Sequence, residues 1–260
     1  MDPELYKAAI DGTLSEKTLR AAADSNQLVT GGKKNTILHV AAKSGNLQIN
    51  TEEEGGDDHS HGHPLLRFLY HQNAEGNTPL HVAAKSGHVE MVKCLIFKAR
   101  KMDAKQKRKL VTMKNLEGDT ALHEAVRHNR FEIVKLLIHE DSNLACVLNG
   151  YGESPLFMAV DRCFYEISLL ILNATAPNNC SFDGRNGMNV LHAAVIRAPI
   201  PNFVHEVFFK LSSSSMLEKA DDFGWIPLHY AAHLGNRELV ELFLNYNNSL
   251  TYKNQSSHFS

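Results

Sequence analysis

Histidine has the widest chemical reach of the side chains in this sequence, serving as acid, base or metal ligand near neutral pH. The chain has 15 of them. Five, His39, His81, His123, His192 and His229, follow a leucine (Leu38, Leu80, Leu122, Leu191, Leu228) at one place in a recurring motif, written most fully as Asn77-Thr78-Pro79-Leu80-His81-Val82-Ala83-Ala84. That fixed motif position gives them a structural reading. Three more, His59, His61 and His63, stand at alternate positions behind Asp57 and Asp58, so an extended chain would turn all three imidazoles to one side, a donor set suited to zinc or nickel. A structural metal site needs ordered ligands with outer-shell support. Thr51 to Gly62 is instead acidic and rich in glycine and histidine, the composition of a disordered insert, and neither metal nor cofactor is expected.

Enzyme motifs fail on inspection. Gly31-Gly32-Lys33-Lys34 lacks the leading glycine and the Ser/Thr of a phosphate loop. His123-Glu124-Ala125-Val126-Arg127-His128 has one residue too many for a zinc-protease helix, which turns the second histidine off the face. Glu153-Ser154-Pro155 after Gly150-Tyr151-Gly152 breaks the dinucleotide pattern, and there is no Gly-x-Ser-x-Gly elbow. The chain reads as non-catalytic, with no small-molecule substrate. The basic run Lys98 to Lys109 admits a solvated helical extension, a contact with anionic lipid or import machinery, or nucleic acid; it lacks interleaved aromatics for base stacking, and no nucleic-acid partner is expected.

The elements that carry the motif are short helix pairs. In the central copy Thr78 caps a helix, Pro79 occupies its first turn, and Leu80, Ala83 and Ala84 share one face. Gly87 stops that helix, and Val89, Val92 and Ile96 stripe a second. Two such helices cannot bury their apolar faces alone, so the stretch predicts a stack of neighbours. Copies of the motif surround Leu38, Leu80, Leu122, Leu156, Leu191 and Leu228. Asp2-Pro3 through Gly12 has the same grammar and opens a capping helix pair over 1–34 that runs to about Ala23. The repeats are expected over 35–245, with an insert at 50–64, a basic insertion at 98–113 and an incomplete seventh repeat or tail at 246–260.

Composition narrows the setting. The formal charge of −2 gives no global pull toward nucleic acid. The N-terminus lacks the features of a secretory signal, and no apolar run approaches a membrane span. Four cysteines (Cys94, Cys146, Cys163 and Cys180) without a Cys-x-x-Cys pair suggest reduced thiols and a cytoplasmic chain.

The recurring Thr-Pro-Leu-His-x-Ala signature resembles that of ankyrin repeats, which implies an all-α solenoid. Met1-Asp2-Pro3-Glu4-Leu5-Tyr6-Lys7-Ala8-Ala9, Asn35 to Ala42, Lys114 to Val126 and Gly224 to Ala232 further resemble the plant ankyrin–transmembrane family, which includes accelerated-cell-death proteins of salicylic-acid defence. Its members add a C-terminal membrane domain with a Pro-Gly-Gly motif that is lacking here, so a truncated or alternatively ended product is expected. The resemblance implies a scaffold for protein partners in defence and cell-death signalling, or else the cytosolic part of a membrane-tethered transport or channel-like protein at the plasma membrane. It also implies that the motif histidines bond within and between repeats, and that a charged helical insertion falls at the basic run. Phe157 replaces the histidine in the fourth copy, where Cys163 to Tyr165 also replace the glycine turn, so packing should hold that repeat.

In such a stack the partner surface is the concave face and the hairpin tips. Most tips here are polar, but Tyr151, Phe223 and Trp225 place large aromatics at tip positions, the residue class that dominates interface energy. Together with Arg127, Asp161 and His233 on the first helices they form the expected partner-binding set.

Overall fold

The computed structural model describes residues 1–13, 29–46, 68–102, 104–174, 180, 182–197, 201–211 and 214–256. The histidine-rich insert, with His59, His61 and His63, lies outside the described residues, as does the second half of the N-terminal capping pair. The chain divides into two compact units, residues 1–150 and 151–260.

The first unit is built from α1 (Pro3–Asp11), α2 (Ile37–Ser44), α3 (Pro79–Ser86), α4 (Val89–Met102), α5 (Ala104–Thr112), α6 (Ala121–Arg127) and α7 (Phe131–Glu140). α1 packs on α2, α2 on α3 and α3 on α6. This series places the motif helices side by side. Close approach is possible because the facing positions are small: Ala41, Ala42, Ala83, Ala84 and Ala125 are all fully buried. α1 shows the expected grammar, with Asp2 accepting from the Glu4 and Leu5 amides, Pro3 in the first turn and Gly12 left-handed at φ 74°.

The second unit contains α8 (Pro155–Asp161), α9 (Tyr165–Ala174), α10 (Val190–Arg197), α11 (Pro201–Leu211), α12 (Ser214–Glu218), α13 (Pro227–His233) and α14 (Arg237–Ser256). α8 packs on α10 and α10 on α13, while α9, α11 and α14 back their respective partners. Every motif copy is thus a helix, and among the described residues the only extended pairings are isolated bridges, Val29 with Thr36 and Asp183 with Asn189. No helix is long and apolar enough to cross a membrane among the described residues.

The motif histidines act as helix caps and as ties between repeats. Thr36 offers both its backbone N–H (3.1 Å) and its hydroxyl (2.7 Å) to His39 Nδ1. An amide N–H can only donate, so Nδ1 is the acceptor and the proton sits on Nε2. Nε2 in turn donates to the Asn77 carbonyl, 2.7 Å away in the next repeat. His81 repeats this arrangement from Thr78 to the Asp119 carbonyl, and His192 from Asn189 to the Trp225 carbonyl. Each receiving carbonyl already closes its own tip, accepting from the amide four residues earlier: Asn73 for Asn77, Asn115 for Asp119 and Asp221 for Trp225. A carbonyl has two lone pairs, and both are used.

Phe157 departs from this pattern in the expected way. Its ring is fully buried, and Gly184 lies so close to it that a Cβ there would meet ring atoms at 2.1 Å. Packing replaces the imidazole bond, and only a glycine fits above the ring.

In five of the motif copies the residue nine positions after the helix cap turns left-handed: Gly45, Gly87 and Gly235 in three, but Asn129 (φ 54°) and Cys163 (φ 59°) in the other two. A side chain in this region is strained by roughly 1–2 kcal/mol. Cys163→Gly is therefore expected to raise stability by about 1 kcal/mol, read as an increased urea midpoint; a decrease would show that the thiol makes a compensating contact. Cys94 and Cys163 are free thiols, while Cys146 and Cys180 are disulfide-bonded, which corrects the expectation of four reduced cysteines. Cysteine spacing carries no information on which thiols the fold brings within bonding reach.

Candidate partner-binding site

The tips are rigid turns. In Asn73–Asn77 the Asn73 side-chain oxygen accepts from the amides of Glu75 and Asn77, and Asn115 does the same for Glu117 and Asp119. Neighbouring tips are joined by backbone bonds from Ala74 to Lys33, Leu116 to Glu75 and Gly150 to Glu117. Side-chain amides form a second ladder, with Asn73 donating to Asn35 (2.8 Å), Asn115 to Asn77 (2.9 Å) and Asn149 to Asp119 (2.9 Å). Asparagine supplies both donor and acceptor, so each rung leaves a group for the next.

The sixth tip is locked by an acid. Asp221 Oδ1 accepts from the Phe223 and Trp225 amides at 2.9 Å, and Oδ2 accepts from the Tyr230 hydroxyl at 2.6 Å. Burial alone would raise the Asp221 pKa, but these bonds and the nearby His192 outweigh it and hold the carboxyl below its ordinary value. Burial, together with the same pairing, pushes the Tyr230 phenol up to about 12. On this fixed turn Phe223 is 71% exposed and Trp225 36%. Around Trp225 stand the rings of Tyr230 (5.0 Å), His233 (5.4 Å) and His229 (6.2 Å). The result is an aromatic cluster on a turn whose backbone is held by Asp221.

The sequence pattern described as "Ankyrin repeats (3 copies)" matches residues 59–146 and 103–186, and the single "Ankyrin repeat" pattern matches residues 223–255. The chain belongs to the ankyrin repeat family. Its fold is similar to the solved ankyrin repeat domain of Bcl-3, described as a unique member of the IkappaB protein family, with a TM-score of 0.63 at 18% identity over 88% of this chain and 93% of that one. No curated protein matches the sequence.

Against this ankyrin framework the six expected site residues separate into two kinds. Phe223, Trp225 and His233 come together at the sixth tip. Tyr151, also in the second unit, is 61% exposed. Asp161 is engaged by Arg185 (2.8 Å) and Arg197 (3.2 Å), and Arg185 also bonds Glu153 at 2.8 Å. Arg127, in the first unit, pairs with the fully buried Asp119 and lies 3.6 Å from Glu117. These two charges are held within the chain, fixing their own repeats.

Two residues were missed. Tyr230 stands where the other copies have Val40, Val82, Glu124, Met158 and Ala193, and aligning the copies would have exposed an aromatic unique to the sixth. Leu116 is 78% exposed at the third tip, an apolar side chain among tip residues read as polar.

Proposed function

We propose that this ankyrin protein is a non-catalytic scaffold, and that a protein partner docks on its concave face and tips with the sixth tip as the energetic centre. The Phe223–Trp225 platform carries this reading. Large aromatics dominate binding energy where they are well packed and pre-organised, and Asp221 supplies the pre-organisation. Tyr151 and His233 extend the surface, while Arg127 and Asp161 contribute by setting the position of their repeats. The resemblance to the plant ankyrin–transmembrane family supports defence and cell-death signalling as the setting.

Affinity capture from native tissue tests the proposal. Phe223→Ala with Trp225→Ala is expected to reduce recovery of the partner by about 30-fold or more with only a modest fall in melting temperature, since the Trp225 indole gives up its ring contacts with Tyr230 and His233 while its backbone carbonyl keeps the bond from His192. Equal recovery by the wild type and the double variant would remove the platform from the account. The same resemblance supports a second reading, the cytosolic ankyrin portion of a membrane-tethered protein. Fractionation separates the two: a soluble product the size of this chain favours the free scaffold, and a larger product confined to membranes favours the tethered one.

A further inference from the structure

The basic run folds into the end of α4 and the first two-thirds of α5, two helices packed on each other. Seven Lys/Arg and one Asp lie between 98 and 109. Only part of this charge is used internally. Arg100 reaches both Glu140 oxygens at 2.7 Å, and Lys107 reaches Oε2 at 3.2 Å. Burial would raise the Glu140 pKa, but these two cations outweigh it and keep the carboxyl below its ordinary value. The clamp fastens the hairpin to the end of α7. Among the described residues no other carboxylate pairs with the run, which leaves Lys98, Lys101, Lys105, Arg108 and Lys109.

These cations are interleaved with apolar side chains. Phe97 is 53% exposed and Met102 46%. The Lys101 ammonium lies 5.0 Å from the centre of the Phe97 ring, and Lys109 lies 5.3 Å from that of Tyr70. Tyr70 approaches Met102 Sδ at 3.9 Å and donates to the Gln106 carbonyl at 3.2 Å. On α4, Lys93, Phe97 and Lys101 share an exposed stripe at four-residue spacing, and on α5 Lys105, Arg108 and Lys109 share another.

We infer that the α4–α5 hairpin docks on the anionic face of a phospholipid bilayer, with Lys101, Lys105, Arg108 and Lys109 at headgroup phosphates and Phe97 and Met102 entering the headgroup layer. Basic residues beside a few exposed apolar ones are the composition of interfacial binding. A fluid surface brings a headgroup to each cation without needing a matching rigid pattern of acids. Nucleic acid fits less well, because base stacking needs a row of open aromatic faces and the run itself, Lys98 to Lys109, contains no aromatic residue. A protein interface fits less well because Phe97 and Met102 are isolated apolar contacts and not the packed centre that such interfaces require. This surface belongs to the first unit and is independent of the aromatic platform in the second.

Co-sedimentation of the full chain with vesicles tests the inference. Binding is expected to phosphatidylcholine vesicles containing about one-third phosphatidylserine and not to pure phosphatidylcholine, with loss at high salt. At roughly fivefold per charge, Lys101→Gln, Lys105→Gln and Arg108→Gln together should lower the partition about 100-fold, with an unchanged circular dichroism spectrum because all three side chains are exposed. Phe97→Ala should give a smaller drop. No binding to the anionic vesicles, equal binding to neutral ones, an unaffected triple variant, or tighter binding to polyglutamate or an RNA duplex than to vesicles would each overturn it.

Discussion

His81→Ala is expected to destabilise the protein by about 4 kcal/mol, whereas the same change at His229 should cost less than about 1 kcal/mol. The two residues occupy the same motif position. Removing the His81 ring leaves the Thr78 amide without its 3.2 Å acceptor and takes from the Asp119 carbonyl its second donor at 3.0 Å, the Asn115 amide remaining, all within a fully buried environment. Unsatisfied buried groups cost about 1–3 kcal/mol each, and the vacated ring volume adds a cavity term. His229 also receives the amide of its cap residue, Ile226, at 3.2 Å, but it is exposed to solvent, and water can replace what the ring supplied. Urea unfolding of the two variants checks this. Equal losses would mean that the histidines act only as local caps, since the local bond is common to both.

Stability should also fall as the solution is acidified from pH 7, ahead of general carboxylate titration. Burial drives His39 and His81 down from 6.5 to about 4, only partly offset by their bonds to the Asn77 and Asp119 carbonyls. The cause agrees with the geometry: Nδ1 must stay unprotonated to accept from Thr36 or Thr78. Above about pH 6.5 the imidazoles are neutral in both the folded and unfolded chains, and their contribution is fully present. Between 6.5 and 4 the unfolded chain binds protons that the folded chain refuses, so stability declines by about 1.4 kcal/mol per pH unit for each histidine, on the order of 3 kcal/mol apiece by pH 4. His192 shifts in the same direction, again chiefly through burial. Glu124 opposes them: burial raises its carboxyl, so the folded state gains relative stability as that group protonates. Urea midpoints measured from pH 7.5 to 4.5 should drop steadily below 6.5. A flat profile down to pH 5 would show that these rings accept protons without loss of the fold.

Much of the architecture was legible because it is local and repeated. Cap, proline, leucine and paired alanines follow from helix geometry within a single turn, and six copies in register determined the all-α ankyrin class. Phe157 could be read as a packing substitute because one motif position cannot supply both an imidazole bond and an apolar ring. The charged members of the expected site were not legible in the same way. Arg127 and Asp161 look like free surface charges along the chain, and only the folded neighbourhood brings Asp119 to one and Arg185 and Arg197 to the other.

By itself, then, the sequence determined the repeat, the helix boundaries set by capping chemistry, and the aromatic character of the sixth tip. All three depend on contacts within a few residues of one another. Tertiary structure decided which histidine is buried, which thiols are oxidised, which cations of the basic run stay unpaired, and that Asp221 and Tyr230 hold the platform still. Those properties depend on groups from different turns and repeats arriving within a few ångströms, and on the loss of water when they do; no spacing along the chain specifies either.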